Sequence, residues 1–212
     1  MTDDITPPSG EGSHPSDCEI LEGYRRRARE KKKAPTEAQR LLLAKAEPIR
    51  LLLLDVDGVL TDGKLHYSDE GVESKTFNVK DGLGIRLVQR AEVSTGIITA
   101  RQSPLVARRA EELGMDHIRQ GAANKLEEFK SILGETGLKP FQVCYMGDDL
   151  IDLSLLTRVG LAACPVDAVE PVKEACHLVS RQPGGGGAVR EVCDLIVQAK
   201  GLEEKLVQQF LC

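Results

Sequence analysis

The sequence predicts a three-layer α/β domain, in which a doubly wound parallel sheet is covered by helices on both faces. Short apolar runs typical of buried strands alternate with helical patterns between residues 48 and 200, and this alternation favours a parallel sheet. Several of the apolar runs end on acids or hydroxyls. Since ligands bind beyond the carboxyl ends of parallel strands, these groups fall where a site is expected. The 212 residues suffice for one such domain with flanking segments.

The individual elements follow from apolar periodicity and from helix-terminating residues. Pro48 separates a helical pattern at 36–46 from the first strand. The run Leu51–Leu54 is wholly apolar, as expected of a buried strand. Strands are predicted near 50–56, 94–99, 116–118, 141–146, 159–163 and 176–179. Helices are predicted near 81–91, 103–113, 122–134, 149–157, 168–174 and 188–199.

Residues 64–80 predict a β-hairpin flap outside this alternation. The runs Leu65–Tyr67 and Lys75–Val79 are strand-like, and Ser68–Gly71 between them is a turn sequence. His66 lies on the first run, and we expect it to be a surface or packing residue.

The two flanks are expected to differ from the domain at 48–200. Residues 1–47 form a predicted N-terminal extension, of which residues 1 to about 20 are rich in Pro, Gly, Ser and Asp and are expected to be disordered. The segment Arg25–Lys33 carries seven basic residues and one acid. A solvated charged helix is the favoured interpretation, and an arm for nucleic acid or an acidic partner is the alternative. Residues 201–212 form a C-terminal tail.

Composition argues against several classes of function. The net charge of −5 and the aromatic content of 3% give no reason to expect nucleic-acid binding by the domain. The six cysteines show no C-x-x-C and no zinc-ligand spacing, which favours a reduced protein. The start Met1–Asp4 is acidic, and no apolar run approaches about 18 residues, so neither a signal peptide nor a membrane span is predicted. We expect a cytoplasmic protein that does not associate with membranes.

The most informative segment is Asp55–Asp62, which follows the first strand. Asp55 and Asp57 lie two residues apart and can converge on one ligand, while Gly58 lets the backbone turn away. Adjacent carboxylates repel each other and favour a bound cation, and Mg²⁺ takes oxygen ligands. A solvated turn, in which acids are common, explains a bare D-x-D-G sequence as well as a metal site does.

Further polar landmarks follow in order along the chain. Thr99 ends the second apolar run, Lys125 begins a helical pattern, and Asp148, Asp149 and Asp152 follow another strand. Singly, each has a structural explanation as a strand-end cap, a solvated helix residue or a helix N-cap. Together the order D-x-D-G-V, T, K and G-D-D-x-x-D is similar to that of the haloacid dehalogenase-like hydrolase superfamily, and the resemblance covers residues 49 to 200.

That resemblance implies a phosphatase working through an aspartyl-phosphate intermediate. Asp55 would accept the phosphoryl group, and Asp57 would act as general acid and base. Thr99 and Lys125 would bind the phosphoryl oxygens, donating a hydrogen bond and a positive charge respectively. Because relatives that transfer phosphoryl groups often lack an acid at the position of Asp57, its presence favours hydrolysis.

The same resemblance implies a Mg²⁺ cofactor. The metal would be held by Asp55, by the backbone carbonyl of Asp57 and by Asp148. Asp149 and Asp152 would not bind the metal directly but would orient its water ligands or Lys125.

The spacing of the landmarks predicts that the domain has no cap. In this superfamily, members acting on small metabolites usually carry a cap domain inserted between the motifs. Thr99 lies only 44 positions after Asp55, and Asp148 only 23 after Lys125. Neither interval can hold a separate domain besides its strands and helices, so the domain is predicted to be capless.

Local details narrow the resemblance. The segments Asp57–Gly63, Phe77–Gly82, Thr99–Arg101 and Gly184–Glu191 resemble those of the 3-deoxy-D-manno-octulosonate 8-phosphate phosphatase family. This family implies a homotetramer, a sugar phosphate substrate of lipopolysaccharide synthesis and a cytoplasmic setting. We expect residues 64–80 to line neighbouring active sites, and the run Gly184–Gly187 to be a mobile hinge.

Two arginines are expected to meet the anionic substrate. The family resemblance implies this role for Arg101 and Arg109, with Arg108 close enough to be the alternative to Arg109. A guanidinium suits carboxylate or phosphate because it can bind two oxygens at once.

Two other functions stay open on the sequence. A nonulosonate or sialic acid 9-phosphate phosphatase would use the same residues on a similar keto-acid sugar. A phosphatase-like module could instead serve oligomerisation without activity. The intact set of Asp55, Asp57, Lys125 and Asp148 argues against the second alternative.

Overall fold

The computed structural model describes residues 16, 18–20, 22–23, 26 and 34–210. The predicted disorder of residues 1 to about 20 and the predicted basic helix at Arg25–Lys33 therefore lie largely outside the described residues. Within the described part of the chain, every helix is too short or too polar to cross a membrane.

A six-stranded sheet forms the centre of the molecule. Its strands are β1 (Leu51–Leu54), β4 (Ser94–Ile98), β5 (His117–Arg119), β6 (Val143–Met146), β7 (Leu161–Cys164) and β8 (Leu178–Val179). All neighbours are parallel, and the order is β5-β4-β1-β6-β7-β8. After β1 the chain builds one side of the sheet and then crosses to β6 on the other. The carboxyl end of β1 is therefore the switch point where such folds bind ligands.

Helices cover both faces of this sheet. They are α1 (Glu37–Ala46), α2 (Val79–Arg90), α3 (Pro104–Glu112), α4 (Lys125–Thr136), α5 (Leu153–Leu156), α6 (Glu170–Ala175), α7 (Ala188–Ala199) and α8 (Glu203–Gln208). Leu52 and Leu54 of β1 pack in one apolar core with α2, α3 and α7, whereas Leu51 and Leu53 pack in a second core with α4, α5 and α6. The alternation of side chains along β1 thus separates the two cores, and the predicted three-layer fold is confirmed.

The hairpin lies apart from the sheet and is shorter than predicted. Its strands are β2 (His66–Tyr67) and β3 (Glu73–Ser74), which pair antiparallel. The expected second strand at Lys75–Val79 is wrong in position, because Asn78 caps α2 by accepting a hydrogen bond from the backbone N–H of Lys80 at 2.8 Å. Val79 is consequently the first residue of a helix.

The helix predicted at 149–157 is also divided. A 3₁₀ turn covers Leu150–Asp152, and α5 follows directly. Asp149 begins the turn by accepting a hydrogen bond from the backbone N–H of Leu150 at 2.7 Å. The tighter turn brings the side chain of Asp152 back under the loop that follows β6.

Both flanks of the predicted domain contribute to its core. Ala46 of α1 is fully buried and Leu206 of α8 is 4% exposed, and both belong to the core that contains Leu52. The helix α1 begins at a capping box between Thr36 and Gln39. The boundaries proposed at residues 48 and 200 stay predictions.

Candidate active site

The backbone after β1 brings Asp55 next to Asp148. The N–H of Asp55 donates to the carbonyl of Met146 at 2.9 Å and so extends the pairing of β1 with β6. Asp148 follows Met146 by two residues, and a Cβ at Gly58 would overlap its carboxylate. Gly58 also has a φ of +88°, so the sequence needs glycine there for two reasons.

Lys125 joins these acids from the start of α4. Its side chain is 3% exposed, and its Nζ lies 3.0 Å from Asp55 Oδ1 and 2.7 Å from Asp152 Oδ1. Asp152 is fully buried; it accepts hydrogen bonds from the hydroxyl of Tyr145 and from the backbone N–H groups of Asp148 and Asp149. Asp152 therefore fixes both the lysine and the loop that carries Asp148.

We call Asp55, Lys125, Asp148 and Asp152 the acid cluster. Burial, partly offset by Lys125, raises the pKa of Asp55 to about 6. Burial and the charge of Asp55 raise the pKa of Asp148 to about 7. Both shifts reflect mainly the loss of hydration on burial, and the neighbouring carboxylates add to it.

The acid cluster fits a hard cation. One oxygen each from Asp55, Asp148 and Asp152 lie within 4.8 Å of one another. Asp148 Oδ1 is buried and has no hydrogen-bond partner in the described structure, whereas both oxygens of Asp152 are engaged. Asp55 and Asp148 are therefore the carboxylates available to a metal such as Mg²⁺.

Thr99 lies at the carboxyl end of β4, beside β1. It is 3% exposed, and its Oγ1 accepts a hydrogen bond from the backbone N–H of Arg101 at 3.4 Å. Because the hydroxyl acts there as an acceptor, its own hydrogen can be donated to a phosphoryl oxygen.

Asp57 lies not in the acid cluster but under the hairpin. Lys75 Nζ contacts Asp57 Oδ1 and lies 3.6 Å from Glu73 Oε1. Arg101 donates to Glu73 at 2.9 Å and to the hydroxyl of Tyr67 at 3.1 Å, and its Nε lies 3.6 Å from Asp57 Oδ2. We call Asp57, Tyr67, Glu73, Lys75 and Arg101 the hairpin cluster.

Lys75 was not predicted as a site residue. The sequence gives only a weak indication that Lys75 belongs to the site. Glu73 and Lys75 stand two residues apart at an arm of a hairpin, a spacing that places their side chains on one face. Only the folded chain shows that this face points at Asp57.

The side chains of three other predicted residues make their described contacts outside both clusters. The guanidinium of Arg109 lies over the ring of Phe77, 5.9 Å from its centroid, and pairs with Glu112 at 3.6 Å. Arg108 pairs with the same Glu112 at 3.0 Å, and its side chain is 79% exposed. Asp149 caps the 3₁₀ turn and is exposed. Their roles toward substrate or metal stay predictions, whereas Asp152 lies where it can orient Lys125.

The glycine run expected to be a hinge packs closely on the loop after Asp57. The N–H of Gly185 donates to the carbonyl of Val59 at 2.9 Å, and a Cβ at Gly184 would overlap the carbonyl of Gly58. Asn78 also donates to the carbonyl of Gly185 at 3.2 Å. These contacts argue against a freely moving hinge, because the glycines are needed for close approach of two backbones.

The class of the protein follows from this geometry. The combination of a doubly wound sheet, an acid after its central strand, a second acid after a neighbouring strand and a lysine from the start of a helix defines a haloacid dehalogenase-like hydrolase. The structure of a Legionella pneumophila protein described as a hydrolase of the HAD superfamily, subfamily III A, aligns with a TM-score of 0.79 at 39% identity, covering 82% of this chain and 96% of that one.

The comparisons also identify the particular family. The 3-deoxy-D-manno-octulosonate 8-phosphate phosphatase KdsC of Escherichia coli K12 is 46% identical over 160 residues, which is 76% of this chain and 85% of that protein. A crystal structure of 3-deoxy-D-manno-octulosonate 8-phosphate phosphatase from Moraxella catarrhalis, in complex with magnesium, phosphate and KDO, has a TM-score of 0.78 at 37% identity, covering 80% of this chain and 97% of that one. No family model matches the chain. The chain belongs to the 3-deoxy-D-manno-octulosonate 8-phosphate phosphatase family.

Proposed function

We propose that this protein is a Mg²⁺-dependent phosphatase that converts 3-deoxy-D-manno-octulosonate 8-phosphate to KDO and phosphate. The observation that carries the proposal is the setting of Asp55. It follows the central strand, and its Oδ1 lies 3.0 Å from Lys125 Nζ. Asp148 Oδ1, which has no hydrogen-bond partner among the described residues, belongs to the same cluster. The KdsC relative and the Moraxella catarrhalis structure with magnesium, phosphate and KDO support the same reaction.

The reaction can proceed by two successive displacements at phosphorus, with Asp55 as the nucleophile of the first and water as the nucleophile of the second. A carboxylate oxygen of Asp55 attacks phosphorus, and the bond from phosphorus to the sugar oxygen breaks. Asp57 gives its proton to the departing oxygen, then takes a proton from the water that attacks the aspartyl-phosphate. Hydrolysis returns Asp55 as a free carboxylate and releases phosphate.

Lys125 and Thr99 stabilise the charge that spreads over the phosphoryl oxygens. Lys125 is held in place by Asp152 at 2.7 Å, so it needs no rearrangement when that charge develops. A bound Mg²⁺, held by Asp55, Asp148 and the carbonyl of Asp57, would neutralise the repulsion between the acids and the phosphate.

Recognition of the sugar acid is assigned to Arg101. Its side chain is 43% exposed, and it reaches toward Asp57 from the end of β4, where a substrate carboxylate can approach. In the present structure the guanidinium is bound by Tyr67 and Glu73, so substrate must compete with these partners. Arg109 is kept as a second candidate, although it now stacks on Phe77.

The assembly is proposed to be a homotetramer with hairpins at its subunit contacts. Leu65, Tyr67 and Val72 of the hairpin are 47%, 59% and 62% exposed. A two-stranded hairpin with exposed apolar side chains is marginal by itself and gains stability when another subunit covers it. Sedimentation of the wild type and of Val72→Asp tests this proposal: the variant should form smaller species, and a monomeric wild type would contradict it.

The cytoplasm is proposed as its compartment. Cys18, Cys144, Cys164, Cys176 and Cys193 are free thiols in the structure, which suits a reducing environment. Fractionation of cells that produce the tagged protein would test this, and recovery outside the cytoplasm would contradict it.

Phosphate release from a panel of esters tests the function itself. The panel contains 3-deoxy-D-manno-octulosonate 8-phosphate, a nonulosonate 9-phosphate, glucose 6-phosphate and p-nitrophenyl phosphate, each with Mg²⁺ and with EDTA. We expect the highest kcat/KM on the octulosonate ester and loss of activity in EDTA. A preference for the nine-carbon substrate would reassign the enzyme to nonulosonates, and absence of hydrolysis on every ester would favour a non-catalytic module.

A further inference from the structure

Lys75 is a buried cation supplied by the hairpin. Its side chain is only 2% exposed, although it stands next to a two-residue strand at the surface. A buried ammonium group is costly unless anions pair with it. Its anionic partners are Asp57, in direct contact, and Glu73 at 3.6 Å.

We propose that Lys75 is a positioning residue that holds the carboxylate of Asp57 in the orientation needed for proton transfer. The inference rests on the proposed function, because it requires Asp57 to be the proton donor and acceptor. It makes the hairpin part of the catalytic apparatus of its own subunit, in addition to any contact with a neighbouring subunit.

The chemistry of the two groups fixes which oxygen can react. An ammonium group has three donors and no acceptor, so Asp57 Oδ1 must accept from Lys75. The other oxygen, Oδ2, has Arg101 Nε at 3.6 Å, which is too long for a hydrogen bond. Oδ2 is therefore the atom left to pass a proton to the leaving oxygen and to take one from water.

Glu73 links this alignment to substrate recognition. It lies 3.6 Å from Lys75 Nζ and 2.9 Å from Arg101 Nη2, so one carboxylate holds both cations of the hairpin cluster. When a substrate anion draws Arg101 away, Lys75 keeps its contact with Asp57. Substrate binding and proton transfer can then proceed without loss of the orientation of Asp57.

The main test compares Lys75→Met with wild type on two esters. Methionine keeps the length and most of the volume of lysine but removes the donors. General acid–base catalysis contributes about 10²–10⁴-fold, so we expect kcat/KM on the sugar phosphate to fall roughly 10–100-fold, mainly through kcat. The loss on p-nitrophenyl phosphate should be smaller, because its leaving group needs little protonation.

A double-mutant cycle shows whether Lys75 acts through Asp57. In an Asp57→Asn background, Lys75→Met should cause no further loss, since the group it positions is gone. Lys75→Arg, which keeps the charge, should lose less than Lys75→Met. Lys130→Met is the matched control: Lys130 is exposed on α4 and belongs to neither cluster, so activity should be unchanged.

The outcomes separate this inference from the proposed function. If Asp57→Asn is inactive while Lys75→Met keeps wild-type kinetics, the positioning role is wrong and the phosphatase assignment stands. The inference is also wrong if Lys75→Met lowers kcat/KM equally on both esters. It is wrong as well if adding Lys75→Met to Asp57→Asn lowers activity further. In either case Lys75 acts on the phosphate or the fold. If Asp57→Asn is fully active, the general-acid assignment itself fails. Circular dichroism checks that Lys75→Met is folded, and Lys75→Gln replaces it in the same cycle if it is not.

Discussion

The acid cluster and the hairpin cluster contain charges in different balance. The acid cluster sets three carboxylates against the single ammonium of Lys125, whereas the hairpin cluster sets Asp57 and Glu73 against Lys75 and Arg101. The first is electrostatically incomplete, which agrees with the raised pKa values of Asp55 and Asp148. The second is neutral when Asp57 is ionised. A bound cation is therefore expected at the acid cluster, and an exchange of hydrogen-bond partners at the hairpin cluster.

The two clusters also differ in burial and support. In the acid cluster the side chains of Asp55, Lys125 and Asp152 are 7%, 3% and 0% exposed, and they stand at strand or helix ends. In the hairpin cluster Lys75 is 2% exposed, but Arg101 is 43% exposed, and its hydrogen-bond partners Tyr67 and Glu73 are carried by strands of two residues. Phosphoryl transfer is therefore proposed for the acid cluster, whereas the hairpin cluster is proposed to supply proton transfer through Asp57 and substrate recognition through Arg101.

The largest effect is expected in the acid cluster, from Asp55→Asn. The amide cannot accept the phosphoryl group, so kcat should fall by on the order of 10⁴-fold or more while the fold is kept. Phosphate release and thermal melting measure the two properties. Asp62→Asn, an exposed acid in the loop after Asp55, should remain active, and activity of Asp55→Asn within about tenfold of wild type would rule out covalent catalysis through this residue.

In the acid cluster, Asp148→Asn is expected to weaken the dependence of activity on Mg²⁺. Loss of one anionic ligand reduces Mg²⁺ affinity, so the Mg²⁺ concentration for half-maximal activity should rise at least about tenfold. Arg101→Ala, in the other cluster, should leave this concentration unchanged. Equal metal dependence of wild type and Asp148→Asn would remove Asp148 from the metal site.

Arg101→Ala is expected to have a smaller effect that depends on substrate. Loss of a charge-assisted hydrogen bond costs about 1.5–3 kcal/mol, so KM for the keto-acid sugar phosphate should rise roughly 10–100-fold. KM for p-nitrophenyl phosphate, which has no carboxylate, should change much less. The matched control is Arg158→Ala, because Arg158 is exposed and donates locally to the carbonyl of Ser154 and the hydroxyl of Thr157. Equal losses on both esters would place Arg101 at the phosphate or in the fold instead.

The smallest effect concerns the stability of metal-free protein as a function of pH. The pKa values of Asp55 and Asp148, about 6 and about 7, lie above the ordinary value of 3.8, so the folded state holds protons that the unfolded state releases. Their contribution to stability is therefore present below about pH 4 and is lost as pH rises toward 7.

Melting in EDTA at pH 5 and pH 7.5 measures this loss. Asn cannot titrate, so the Tm of wild type relative to Asp148→Asn should fall by about 2–8 °C between the two pH values. Added Mg²⁺ should remove the decline for wild type. A wild-type Tm that rises relative to the variant over this interval would show that Asp148 is not destabilised by its neighbours.

The sequence alone determined the fold class, the family and the place of the acid cluster. A buried run such as Leu51–Leu54 has to be a strand in a parallel sheet, and the carboxyl ends of such strands meet at one edge. Asp55 and Asp148 were therefore expected at the same edge of the sheet, and the pairing of β1 with β6 in the structure makes them neighbours. Predicted boundaries failed where caps decided them, as at Asn78, because a single side-chain hydrogen bond moved the start of α2.

Only the tertiary structure decided how the hairpin and the glycine run meet the catalytic loop. The contact of Lys75 with Asp57 joins residues 18 positions apart, and Gly185 meets Val59 from the other end of the domain. The stacking of Arg109 on Phe77 is likewise a contact between separate elements. Strand and helix periods are local properties of the sequence, whereas the docking of a short hairpin depends on long-range packing that no local pattern specifies.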